Sequence, residues 1–212
     1  MARKGEIFAL DVLPGTQDGV LLAGGRCGQL CMADLRAPDA QWTSLQHTSS
    51  IAHIKAIDAH HVLAAGPKHA MVIYDTRYLR ESPAGGGGKD RSNQTSPVLS
   101  FPEYKNASCM HIGLDVLRGH AYGHGLVAAA HDDGKVALFS IRDGRRLKAP
   151  AIDAIDVRRR PMVRDGPDYL RSDNIVRCLA FKTMPGDQHA SLCVAEGKGI
   201  YRYAFTKGGE DW

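Results

Sequence analysis

The chain has 212 residues, 43% of them hydrophobic and 24% charged, which is the composition of a folded globular protein rather than a disordered one. Its 27 basic and 23 acidic residues give a net charge of +4, too mild a balance to predict nucleic-acid binding. The longest uncharged apolar runs are far shorter than the ~20 residues of a membrane-spanning helix, and no such run follows the basic start to make a signal peptide. We therefore expect an intracellular protein, nuclear, cytoplasmic or both.

The cysteines agree with that compartment. There are five, and no two of them form a Cys-x-x-Cys pair. Because most lie inside apolar strand-like runs, we expect reduced thiols that act as small core residues. They are Cys27, Cys31, Cys109, Cys178 and Cys193.

The chain contains an internal repeat. Three segments align without a gap, and each has an apolar strand, a polar or Gly-containing turn and a second strand followed by an arginine. A fourth copy has a tighter turn at Lys198-Gly199 and lacks the closing arginine. The copies are LLAGGRCGQLCMADLR (21–36), VLAAGPKHAMVIYDTR (62–77), VAAAHDDGKVALFSIR (127–142) and LCVAEGKGIYRYAF (192–205).

Further runs flank each copy, so that each unit is predicted to hold three good strands and a poorer outer one. Strands buried on both faces read as apolar runs rather than alternating ones, as these do, and helical periodicity is weak. We expect four-stranded antiparallel sheets that bury their faces by stacking on one another. The runs before the copies are 7–13, 50–57, 109–117 and 175–181, and the polar runs after the first three are 41–46, 97–101 and 145–149.

Spacing divides the chain into units. The closing arginines are 41 residues apart in the first step, which is one unit, and 65 apart in the second. The excess is the Gly-rich insertion 81–96, and a second insertion, 156–173, precedes the fourth unit; both read as flexible surface loops. Because only TKGGEDW follows Phe205, we expect the fourth unit to lack its outer strand. The predicted units are 5–47, 48–105, 106–155 and 174–206.

The ends of the copies, MADLR, IYDTR and LFSIR, resemble the Trp-Asp-x-Arg ends of WD repeats. The Trp site holds Ala33, Tyr74 and Phe139, and the Asp site keeps Asp34 and Asp75. A true Trp-Asp dipeptide and a regular Gly-His pair are both absent. The resemblance implies an all-β fold, a WD-repeat β-propeller with about four blades in this chain and about seven in the complete ring.

The order of the units is similar to the C-terminal half of a WD-repeat factor associated with cullin-four ubiquitin ligases. That resemblance implies a substrate receptor whose adaptor-binding residues are Asp34, Arg36, Asp75 and Arg77, on one rim of the ring. Since residues i and i+2 of a strand share a face, each Asp can orient its Arg, whose rigid five-donor group suits an interface. The alternative is that Asp-x-Arg only pins a turn, which is our interpretation for Arg142, because Ser140 replaces its Asp.

Other motifs are weaker. The segment HDDG (131–134) fits a hairpin turn better than a metal site. His120 and His124 lie in a Gly-rich loop, and RRR (158–160) fits a solvated loop better than a nuclear-import or nucleic-acid patch. No catalytic set can be assembled, so we expect a non-enzyme without cofactor or metal. Its partners would be the ligase adaptor and a target protein, or, as a general WD-repeat scaffold, another RNA- or chromatin-linked complex.

Overall fold

The computed structural model describes residues 5–15, 19–37, 42–78, 80–81, 96–119, 125–155, 175–196 and 199–205. The predicted insertion 156–173 lies outside these residues, as does 81–96 apart from its two end residues and as does Lys198 of the predicted turn. No helix in the described ranges is long and apolar enough to cross a membrane.

Strands make up almost all of the regular structure, which confirms the all-β prediction. A 3-10 helix, Thr76–Tyr78, and an α-helix, α1 (Pro150–Asp153), are short exceptions. In chain order the strands are β1 (Ile7–Val12), β2 (Val20–Gly25), β3 (Gln29–Asp34), β4 (Trp42–Gln46), β5 (His53–Ala56), β6 (His61–Gly66), β7 (Ala70–Asp75), β8 (Arg80–Glu81), β9 (Leu99–Ser100), β10 (Leu114–Leu117), β11 (Leu126–Ala130), β12 (Val136–Ser140), β13 (Arg146–Leu147), β14 (Cys178–Lys182), β15 (Ser191–Glu196) and β16 (Gly199–Ala204).

The described strands form four antiparallel sheets, numbered here in chain order. Sheet 1 has the order β1-β2-β3-β4-β8, sheet 2 β5-β6-β7-β9, sheet 3 β10-β11-β12-β13 and sheet 4 β14-β15-β16. The first three copies form the inner hairpins of sheets 1, 2 and 3, as predicted, and the fourth forms the hairpin β15–β16 at one edge of sheet 4. Sheets 1 and 2 belong to one compact unit, Met1–Met110, and sheets 3 and 4 to another, His111–Trp212.

The small residues of the copies lie where the sheets are most buried. Ala64 and Ala65 of β6, and Ala128 and Ala129 of β11, have no solvent-exposed surface. An alanine occupies little space between packed layers, so a run of them lets neighbouring layers approach closely. This confirms the prediction that the apolar runs opening the copies, which form the second strand of each unit, are buried on both faces.

Two details of the sheets and their side chains differ from the predictions. Sheet 1 has a fifth strand, β8, which pairs with the free edge of β4. Along the chain, β8 lies between β7 and β9 of sheet 2. The cysteines are not core residues, since two are exposed and three are half-buried. Cys31, for example, lies in β3 between buried Leu30 and half-buried Met32, on a strand face that the core does not fully cover. Apolar neighbours in sequence do not reveal which face of a strand is covered.

In the unit Met1–Met110, β1 and β5 lie side by side and run in the same direction. Ile51, just before β5, donates its backbone N–H to the carbonyl of Gly25, which pairs with Ile7 at the start of β1. At the other end, the backbone N–H of Ala56 donates to the carboxylate of Asp11 at 2.7 Å. The start of β5 therefore lies beside the start of β1 and its end beside the end of β1, so sheet 2 packs on sheet 1 with these two strands parallel.

The unit His111–Trp212 contains the same contact between sheets 3 and 4. The carboxylate of Asp115 accepts a hydrogen bond from the backbone N–H of Phe181 at 2.8 Å. Near the other end of β14, Gly113 donates its N–H to the carbonyl of Val176 at 2.9 Å. Asp11 and Asp115 pair with equivalent residues of the aligned copies, so the repeat extends to the contact between sheets.

Candidate protein-binding rim

The predicted adaptor-binding residues lie at the same end of two neighbouring sheets. Asp34 is the last residue of β3 and Asp75 is the last residue of β7. Each of these strands is two antiparallel steps from β1 or β5, and β1 and β5 run in the same direction. Both strands therefore end on one side of the unit Met1–Met110, and we call Asp34, Arg36, Asp75 and Arg77 the arginine rim.

The two Asp–Arg pairs of the arginine rim have nearly the same geometry. In the first, Arg36 donates from Nε to Asp34 Oδ1 at 2.8 Å and from Nη2 to Oδ2 at 2.6 Å. In the second, Arg77 donates from the same atoms to Asp75 at 3.0 and 2.6 Å. Each arginine also donates its backbone N–H to Oδ1 of its Asp, at 3.0 and 2.9 Å.

The Asp–Arg pairs form, but not because the two residues share a face of one strand, as predicted. Arg36 lies in the turn after β3 and Arg77 in the 3-10 helix after β7, so neither shares a strand face with its Asp. Instead, each Asp carboxylate caps the backbone N–H two residues ahead, which is the hydrogen bond of an Asx-turn. The turn brings the guanidinium back over the carboxylate that formed it.

Hydrogen bonding within each pair favours the charged form of both the Asp and the Arg. The side-chain hydrogen bonds from Arg36, followed by its backbone N–H, lower the pKa of Asp34 to about 2. The side-chain bonds from Arg77 likewise lower the pKa of Asp75 to about 2, and each Asp raises the pKa of its arginine. Both pairs therefore stay ionised at every physiological pH.

In the second pair, the carboxylate is buried and the guanidinium is exposed to solvent. The side chain of Asp75 is 5% exposed, whereas that of Arg77 is 57% exposed. Asp75 accepts from Nε and Nη2, and a guanidinium has five N–H donors in all. Arg77 is thus held in place by one carboxylate while part of its donor set faces outward, where it suits a second carboxylate or a carbonyl group.

The turn between β5 and β6 supports the second pair. The carboxylate of Asp58 accepts the backbone N–H groups of His60 and His61, both at 2.8 Å. The carbonyl of His60 in turn accepts the backbone N–H of Thr76 at 2.7 Å and its hydroxyl at 3.0 Å. These bonds tie Thr76, the residue between Asp75 and Arg77, to a capped turn, so hydrogen bonds within the chain hold this part of the rim in place.

Large apolar side chains flank the arginines, and the sequence reasoning missed them. Leu35 precedes Arg36 and Tyr78 follows Arg77, and both are exposed. Trp42 is also exposed and pairs across sheet 1 with Ala33, close to the end of β3. Arg, Trp and Tyr are the side chains enriched at binding hot spots. Adjacency to the repeated arginines was the available signal for Leu35 and Tyr78.

Gly19 also belongs to the rim. A Cβ at this position would lie 2.6 Å from Cδ and 2.7 Å from Nε of Arg36, so the arginine side chain occupies the space left by the missing methyl group. The carbonyl of Gly19 accepts the backbone N–H of Leu35 at 2.7 Å. Gly19 therefore both holds the turn and makes room for Arg36.

The third copy of the motif forms the same turn without an ion pair. The hydroxyl of Ser140 accepts the backbone N–H of Arg142 at 3.2 Å, as Asp34 and Asp75 do in their copies. The turn therefore forms with a side-chain oxygen of either kind. A carboxylate is needed only to hold the guanidinium.

The remaining sequence candidates do not form a second site among the described residues. HDDG (131–134) is a hairpin turn, as predicted, with Gly134 at φ +82° and its N–H bonded to the carbonyl of His131 at 3.1 Å. His120, His124 and RRR (158–160) lie outside the described residues. Within the described part of the chain, no three His, Cys, Asp or Glu side chains are grouped so that they could hold a metal ion.

Comparisons with known proteins inform on the fold alone. No protein-family model and no curated protein matches the chain. The structure is similar to the computationally designed Ika4 protein, with a TM-score of 0.56 and 13% sequence identity over 95% of this chain and 93% of that one. It is also similar to the designed Ika8 protein, with a TM-score of 0.54 and 13% identity over 94% of this chain, but it spans only 46% of that chain.

Proposed function

We propose that this chain is part of a WD-repeat β-propeller and acts as a protein-interaction scaffold, the substrate receptor of a cullin-four ubiquitin ligase. The arginine rim is the surface that binds the ligase adaptor. The observation that carries the proposal is the repeated Asp–Arg pair at one end of two neighbouring sheets. Other surfaces and the insertions are left for the target protein.

The propeller assignment is supported by repetition at three levels. The aligned copies each form a hairpin, and each hairpin lies in its own antiparallel sheet. The contact between consecutive sheets also repeats, with Asp11 and Asp115 in equivalent roles. Stacking of such sheets is how propeller blades bury both faces.

A comparison of the three turns supports a binding role for the Asp–Arg pairs over a role only in holding the turn. Ser140 caps its turn as the two Asp residues do, so the turn itself does not require an ion pair. The carboxylates at Asp34 and Asp75 add one specific feature, which is a fixed and solvent-facing guanidinium. Preorganised arginines lose little side-chain entropy when they bind, which favours them in interfaces.

The test is a titration of purified chain against the purified cullin-four adaptor by calorimetry or interferometry. We expect Arg36→Glu and Arg77→Glu each to weaken binding by about thirtyfold or more, the range of an interface hot spot. The matched control is Arg142→Glu, which makes the same charge change at the third turn and should leave binding unchanged. Circular dichroism and melting curves check that all variants fold.

The outcomes separate the alternatives. Unchanged affinity after both rim substitutions would refute the rim assignment. An unmodified chain that does not bind the adaptor at all would refute the ligase role. In that case capture of partners by the unmodified chain, and not by the Arg36→Glu/Arg77→Glu double variant, would support a general WD-repeat scaffold that uses the same rim in another complex.

A further inference from the structure

One apolar position repeats in all four sheets and is covered in only three of them. Leu10, Ile54, Leu114 and Leu179 each pair with the third residue of the aligned copy in their sheet. Ile54, Leu114 and Leu179 are 3%, 4% and 6% exposed, whereas Leu10 is 61% exposed. The sequence pattern treats all four as core, but the first lacks a covering layer among the described residues.

The covered copies show what this position packs against. Ile54 of sheet 2 lies on Gly24 of sheet 1, where an added Cβ would be 2.9 Å from the Ile54 Cδ1 atom. Leu179 of sheet 4 lies on Gly113, the residue just before β10 of sheet 3, with its Cγ 2.9 Å from the Cβ position. The residue thus inserts onto a small residue of the preceding sheet. Leu10 has the side chain for this contact, but none of the described sheets covers it.

Leu10 is part of a larger face. Val12, two residues along β1, points the same way and is also exposed. Its equivalent in sheet 2, Ala56, is fully buried. We call Leu10 and Val12 the β1 face. An edge strand with adjacent exposed aliphatic side chains marks an association surface.

The last sheet carries the opposite half of the same contact, also uncovered. In sheet 1, Leu30 pairs with Gly24 and is fully buried within the cluster that joins sheets 1 and 2. The equivalent residue of sheet 4 is Ile200, which pairs with Ala195 and is 78% exposed. Cys178 of β14, opposite the same Ala195, is exposed as well. We call Ile200 and Cys178 the β16 face.

The polar groups of these two faces match as well. In the covered contacts, a carboxylate of the preceding sheet accepts the backbone N–H of Ala56 or Phe181. The equivalent N–H on the β1 face is that of Val12, which already donates to Asp11 Oδ1 at 2.9 Å. The docking sheet therefore needs no carboxylate there. Sheet 4 has Ala180 at that position, so its face can approach without leaving a buried N–H unpaired.

We infer that this chain associates with a second copy of itself, head to tail. The β16 face of one copy docks on the β1 face of the next, and Leu10 lies over Ala195 as Ile54 lies over Gly24. The occupant is a second copy because the described residues of one chain present both halves of the repeated contact, each exposed. Such a contact is heterologous, since two different faces meet.

Sedimentation velocity on the unmodified chain and two variants tests this inference. The variants are Leu10→Glu and Ile200→Glu, each of which puts a charge at the centre of one face. Both positions are exposed, so each variant is expected to keep the stability of the chain within about 0.5 kcal/mol. The concentration range runs from about 1 to about 100 μM, in which a weak but specific contact becomes populated.

The expected pattern is specific to a head-to-tail contact. The unmodified chain sediments as more than a monomer, and each variant alone is monomeric, because every contact then includes a damaged face. An equimolar mixture of the two variants regains a two-copy species, since the intact β16 face of Leu10→Glu meets the intact β1 face of Ile200→Glu. Val98→Glu, which changes an exposed valine outside both faces, should associate like the unmodified chain.

Three results would overturn the inference. They are a monomeric unmodified chain throughout the range, association that survives both substitutions, and a mixture that stays monomeric. If either variant melts differently from the unmodified chain, Leu10→Ser and Ile200→Ser replace it with a smaller change. A failed adaptor titration leaves these outcomes unaffected, because the arginine rim lies on neither face.

Discussion

The hydrogen bond between Asp11 and sheet 2 gives a direct estimate of what the contact between sheets contributes. Its carboxylate accepts the backbone N–H of Ala56 at 2.7 Å and that of Val12 at 2.9 Å through different oxygens. Asp11→Ala removes both acceptors and leaves the N–H of Ala56, between two sheets, without this acceptor. Hydrogen bonds to charged groups contribute about 1.5–3 kcal/mol, so we expect a loss of about 2 kcal/mol in the free energy of unfolding.

Urea unfolding followed by circular dichroism measures this loss as a lower midpoint at an unchanged slope. Asp11→Asn keeps one acceptor oxygen and should lose about half as much. Asp115→Ala, the equivalent change in the other unit, should behave like Asp11→Ala. The control is Glu103→Ala, an exposed carboxylate that should change stability by less than about 0.5 kcal/mol. A loss at Asp11 no larger than that of the control would refute the reasoning.

The remaining predictions concern a buried histidine and the rim. Burial lowers the pKa of His47, whose Nδ1 lies 3.0 Å from the hydroxyl of Tyr74, to about 4. The unfolded chain, with a pKa near 6.5, binds that proton first, so stability falls as pH drops from about 6.5 to about 4, by about 3 kcal/mol in total. Urea unfolding at pH 7 and pH 4.5 should show this loss, and His47→Gln should reduce it. Gly19→Ala should weaken adaptor binding as Arg36→Glu does while the chain stays folded, because the methyl group displaces the arginine; titration checks this, and unchanged binding would contradict it. Carboxyl chemical shifts in an NMR titration should give Asp75 a pKa of about 2, and a value near 4 would show that the ion pair is absent in solution.

Local sequence was enough to predict the strands and their hairpins. Runs such as VLAAG, rich in small and aliphatic residues, are buried on both faces and cannot pack as amphipathic helices. The Asp–Arg pairs were also predictable, because the two residue types recur at one place in the aligned copies. The expected function of these pairs remains a prediction that the adaptor titration tests.

Other features depend on tertiary packing that no local pattern records. The turn that forms each Asp–Arg pair follows from backbone geometry beyond the end of the strand, so the strand argument was wrong although the pairing was right. The half-burial of Cys31 and the exposure of Leu10 depend on which strand face another layer covers. The added strand β8 pairs with the free edge of β4, which lies far from β8 in the sequence and close to it only in the folded chain.

Hydrogen exchange with and without purified adaptor tests the central claim, that the arginine rim is the protein-binding surface, most directly. The account predicts slower exchange at residues 35–37 and 76–78, the turns that hold Arg36 and Arg77. The turns at the other ends of the same strands, residues 26–28 and 67–69, should exchange at unchanged rates. Protection confined to those opposite turns, or no protection anywhere in the two sheets, would contradict it.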